Sequence, residues 1–119
     1  MAKGYNDGRV RYNRCTAHSL CGEEKLHTRP VQNEWPIAEV FAHIRASDDI
    51  VIPRIYTILV RDSPPLLAYD ESHWVEVAWY TEVEFHRSLH LFTLRRAEVV
   101  NMLRQLAPKS WQRTGVHEE

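Results

Sequence analysis

Apolar residues recur at spacings of three and four in two long stretches of this chain, and polar or proline-rich segments separate them. In the first stretch Ile37, Val40, Phe41 and Ile44 fall on one face of a helix, and Val51, Ile55, Ile58 and Leu59 extend the pattern. Pro36 stands where that helix begins, since its missing N–H would have no partner in a first turn. Glu39 places a negative charge beside the exposed N–H groups of the same turn, and Trp35 is set to fold back over it. Pro53 falls inside the pattern, so the expectation is either a kinked helix or two helices with Asp49 capping the second. The β-branched run over residues 50–60 also allows a strand, but a strand leaves the helical spacing unexplained.

Asp62-Ser63-Pro64-Pro65 is a stop, and an irregular, partly extended loop should run on to Asp70. A short helix is expected over residues 72–80, carrying Trp74 and Trp79. A long one is expected over 82–106, with Phe85, Leu89, Phe92, Val99, Leu103 and Leu106 on its inner face. Pro108 ends it, and residues 110–113 can form one more turn with Trp111 packing inward. Upstream, GEEK at 22–25 favours a helical turn closed by Pro30. Residues 1–19 show no apolar period and read as a poorly ordered arm, which leaves 20–119 as the folded domain. The fold class is all-α.

Composition narrows the function more by exclusion than by assignment. The 119 residues suit one domain, and 44% hydrophobic with 26% charged residues is ordinary for a folded chain. A formal net charge of −1 gives no basic excess to draw the chain onto nucleic acid. No apolar run reaches membrane-spanning length and no signal-peptide core is present, so a cytoplasmic location is expected. Cys15 and Cys21 lack CxxC spacing and read as free thiols. There is no Gly-rich phosphate loop and no GxSxG elbow.

Seven histidines are the chemically loaded residues. His43 lies inside the best helix, facing the bundle interior or its edge. Two readings stand for it: a core histidine hydrogen-bonded to a neighbouring helix, or a metal ligand with Asp48 close by. Arg54 lies on nearly the same line but roughly 16 Å further along the axis at the helical rise. His86 and His90 have the i, i+4 spacing that can hold one metal ion, but HRSLH lacks the glutamate of HExxH, and both read as exposed positions flanking the Phe85–Leu89 stripe. His18 and His27 read as solvated, His73 as lining a loop, and His117 as lacking defined geometry. Asp70 reads as a helix N-cap. The four tryptophans read as anchors between helices.

The segment EWPIAEVFAHIRASDDIVIPRI resembles the signature of DinB-like domains, the superfamily that includes YfiT-like metal-dependent thiol transferases. The matching elements are Trp35, Pro36, Glu39, His43-Ile44, Asp48 and Arg54. RDSPPLLAYDESHW is similar to the family's loop, through Pro65, Asp70, Glu71 and Trp74, and the segments FHRSLHLFTLRRAEVVNMLRQL and SWQRTGVHEE are similar to its later parts. The resemblance runs from about Leu26 to the last residue. It implies a four-helix bundle and a zinc or nickel ion held by three histidines. His43 would be one of them, and an HxxxH pair on the last helix would supply the others. That pair is absent here, so the expectation is a partial DinB-like bundle lacking its last helix. A truncated or fragmentary gene would give this pattern.

Two functions follow as expectations. One is descent from a metal-dependent thiol transferase or hydrolase, with His43 the surviving ligand, a metal site incomplete or empty, and a thiol substrate only if the site is complete. The other is a non-catalytic helical module that dimerises or pairs with another chain through the faces a missing helix would leave uncovered. A third arrangement, in which His86 and His90 join His43 around a metal, would need them to face each other across the bundle.

Overall fold

The computed structural model of the chain describes residues 17–118. They form four α-helices in chain order: α1 (Ala17–His27), α2 (Ile37–Val60), α3 (Glu71–Ala78) and α4 (Phe85–Arg104). A 3-10 turn, Pro108–Gln112, follows α4. Two two-residue strands, β1 (Pro65–Leu66) and β2 (Val116–His117), pair in parallel, with Pro65 opposite Val116. The architecture is all-α, as the spacing predicts. GEEK is part of a three-turn helix rather than a lone turn, and α1 begins three residues inside the segment read as an arm. The rest of that segment lies outside the described residues.

The α2 helix is continuous through Pro53 and has 24 residues. Pro53 has no N–H to offer the Asp49 carbonyl, and the Thr57 hydroxyl donates back to the Pro53 carbonyl at 2.8 Å. The buried face of α2 differs from the expected one. Ala38, Ala42, Ala46 and Ile50, four residues apart, point inward, whereas Ile37, Val40 and Ile44 are 58%, 46% and 42% exposed. Alanines offer too little apolar area to stand out in a pattern dominated by large aliphatics. Their small size nevertheless lets a second helix approach closely. Here α3 does so, packing Val75 against Ala42 and Ala46, with Tyr80 beside them.

Aromatic contacts join α2 to α4: the Phe41 ring lies 5.2 Å from that of Phe85 and 5.3 Å from that of Phe92. Polar contacts fix the same three helices. Asp48, buried, accepts two hydrogen bonds from the Arg96 guanidinium. Asp49 accepts from the Trp74 indole N–H at 3.2 Å, from the Tyr80 hydroxyl and from Arg95. Arg45 donates to the Ser88 hydroxyl at 2.7 Å and lies over the Tyr80 ring. Burial, then the hydrogen bond to Asp49, pushes the Tyr80 phenol above its ordinary pKa. The hydrogen bond to Asp48 raises that of Arg96.

The C-terminal segment folds back on the end of α2. Arg113 donates to the Ile58 carbonyl at 2.7 Å and to the Arg61 carbonyl, and it pairs with Asp62. Gly115 passes so close to Leu66 that a Cβ there would lie 2.9 Å from its side chain. Trp111, expected to pack inward, is 62% exposed. The single turn that carries it is too short to bury one face, and Arg113 makes the contact with α2 instead. Trp79, following α3, adopts a left-handed conformation with φ 57° and is exposed. Among the described residues no helix is long and apolar enough to cross a membrane.

Candidate functional site

Ala42 and Ala46 seat α3 against α2 through Val75, and His43 is the neighbour of Ala42 in sequence. Glu71 lies four residues before Val75, so it shares the inward face of α3. The packing that buries Val75 therefore also delivers Glu71 to His43. The start of α3 is fixed by Asp70, whose side chain accepts from the His73 N–H at 3.0 Å, the N-cap expected from sequence.

The result is a polar pair 28 residues apart in sequence. Nδ1 of His43 lies 3.1 Å from Oε1 of Glu71. Trp35 stacks on the same imidazole, with ring centroids 4.6 Å apart and planes 19° from parallel. The tryptophan that was to fold over the first turn of α2 thus packs on the loaded residue itself. The His43 side chain is 19% exposed and that of Glu71 38%. Among the described residues none hydrogen-bonds Nε2 of His43. A neutral imidazole held this way at one nitrogen can offer the other to a metal ion or to a proton.

The remaining candidates whose side chains are described do not gather around it. Asp48, expected near His43, turns to Arg96, and Arg54 turns to the Leu67 carbonyl and the Tyr69 ring. His86 and His90 are exposed on α4. His73 is exposed and pairs with Glu76 at 3.7 Å. His27, expected to be solvated, is half-buried and bonds Glu23 at 2.7 Å. The same Glu23 oxygen accepts from the Phe85 N–H at 2.8 Å, tying α1 to the start of α4. His117 lies in β2 and is exposed. His18, Cys15 and Cys21 carry side chains outside the described residues.

Among the described residues a three-histidine metal centre is therefore not completed. Among the described residues no group of three or more His, Cys, Asp or Glu side chains is placed to hold a metal ion. The His86–His90–His43 arrangement is not formed. A hollow of about 530 Å³ lies between α2 and α4, lined by Arg45, Leu91, Phe92, Leu94 and Arg95 among others, and it does not include His43.

The sequence profile of the DinB superfamily matches residues 14–119. Among solved structures, YfiT from Bacillus subtilis, described as a probable metal-dependent hydrolase with an unusual four-helix bundle topology, aligns with a TM-score of 0.69 at 23% identity. The alignment covers 79% of this chain and 54% of the YfiT chain, so the chain spans about half the length of that neighbour. At this identity the likeness is one of fold. No curated protein matches the chain.

Proposed function

The chain belongs to the DinB superfamily, and on that premise we propose that it works through His43, as a ligand in metal-dependent chemistry of the hydrolase or thiol-transferase kind. The observation that carries the reading is a single imidazole gripped at Nδ1 by Glu71 and across its face by Trp35, with Nε2 unclaimed among the described residues. Zinc or nickel suits an imidazole donor and would supply Lewis-acid chemistry. Around His43 the described residues bring no second imidazole, short of the three to four donors that a tight site requires. His43 is therefore assigned the part of one ligand. The direct test is metal content of the purified protein, wild type beside His43→Ala. Metal that disappears with the imidazole supports the reading, and wild-type protein without metal favours the second one below.

The second reading is a helical module that pairs with a copy of itself. Ile37, Val40, Ile44 and Val51 make an exposed stripe along α2, roughly 21 Å long at the helical rise, and Leu91 and Leu94 on α4 are exposed as well. A stripe of one character along a helix can meet its own copy across a two-fold axis. This favours a dimer that Ile44→Glu should weaken.

A further inference from the structure

We infer that Glu71 is the positioning residue that sets the tautomer of His43, with the proton on Nδ1 and the lone pair on Nε2. An ionised carboxylate can only accept a hydrogen bond, so the 3.1 Å contact requires an N–H at Nδ1. A neutral imidazole carries one proton, so Nε2 is left as the acceptor. A histidine side chain free in water favours the opposite form, with the proton on Nε2. Glu71 therefore reverses the intrinsic preference rather than reinforcing it.

Two features make the reversal specific to this geometry. Turning the ring over would present a carbon to Glu71 and lose the bond. Trp35, stacked at 4.6 Å and 19°, holds the ring plane in which Nδ1 meets the carboxylate. Glu71 itself is held by the seating of α3, through Val75 and the Asp70 cap. From α3, Glu71 is the charged group in contact with the imidazole, and Trp35 reaches it from the segment before α2. On α2 the carboxylates of Asp48 and Asp49 are directed to Arg96 and Arg95.

This deepens the proposed function by naming the residue that decides which nitrogen is offered outward, and its functional consequence rests on that reading. The tautomer itself can be read without any metal. Long-range 15N–1H correlation spectra of the labelled, metal-free chain at about pH 8.5, above the ordinary imidazole value, distinguish the two forms. The wild type should show the Nδ1–H pattern at His43. Glu71→Ala should return it to the Nε2–H pattern of a free side chain, with backbone amide shifts away from α3 unchanged. Wild-type protein in the Nε2–H form overturns the inference, and this measurement alone decides should Glu71→Ala fail to fold. A folded Glu71→Ala that keeps the Nδ1–H pattern overturns it equally. An Nδ1–H tautomer in a protein that binds no metal would sink the metal reading and leave the role of Glu71 standing. Metal bound at His43 with the Nε2–H form in the metal-free chain would do the reverse.

Discussion

Asp48 and Asp49 are adjacent on α2, yet they fasten different partners: one takes the Arg96 guanidinium in a buried position, the other gathers Trp74, Tyr80 and Arg95. Tyr80→Phe removes one bond to a charged acceptor and leaves the other two in place. The expected loss is about 1–2 kcal/mol in urea denaturation. Because the folded phenol is held above its ordinary value of 10.0, its neutral form is favoured in the native state. The stability this adds is fully present below pH 10 and is lost as pH rises through the raised folded value. Unfolding followed from pH 9 to 11 should therefore steepen above about pH 10 in wild type and less so in Tyr80→Phe. At this scale His43 was legible in the sequence, because its place in a helical pattern and beside a family-like motif could be read directly. Its partner was not. The bond to Glu71 depends on how α3 seats, 28 residues away, and no local spacing encodes that distance.

At the scale of elements, α2 is apolar on more than one face, and the two faces should answer substitution differently. Ala46 is 0% exposed beneath α3, so Ala46→Leu should cost about 1–3 kcal/mol by overpacking. Ile44, 42% exposed, should cost less than about 1 kcal/mol when changed to Ala, being outside the packed core. The reverse order would restore the face that large aliphatics alone suggest. Pro53 is exposed within the same helix. Pro53→Ala should recover a backbone hydrogen bond and raise stability, by as much as about 3 kcal/mol if the helix needs no other adjustment. The existence and approximate extent of α2 and α4 could be read from periodicity. The inward face of α2 could not, since alanines carry little weight in such a pattern, and the packing of Trp111 could not, since one 3-10 turn has no periodicity to read.

Across the molecule, the described helices leave large aliphatic side chains uncovered on α2 and α4. On the dimer reading, this is the surface that a second copy would cover. Sedimentation velocity over a hundredfold concentration range should show a rising weight-average mass for wild type and a monomer for Ile44→Glu. A wild type that stays monomeric throughout would remove the second reading and leave His43 as the chain's functional feature. The family resemblance and the all-α class are legible in the sequence, because they rest on motifs and spacing. That no ligand set gathers around His43 among the described residues depends on where the Asp48, His86 and His90 side chains point, which spacing does not encode.

The role proposed for His43 is to be the residue through which this chain meets a metal. It is tested most directly by titrating nickel into the 15N-labelled protein and mapping paramagnetic line broadening residue by residue. Broadening centred on His43, Trp35 and the start of α3, and lost in His43→Ala, is the expected result. Broadening confined to the exposed His86 and His90 pair, or identical in wild type and His43→Ala, would contradict it.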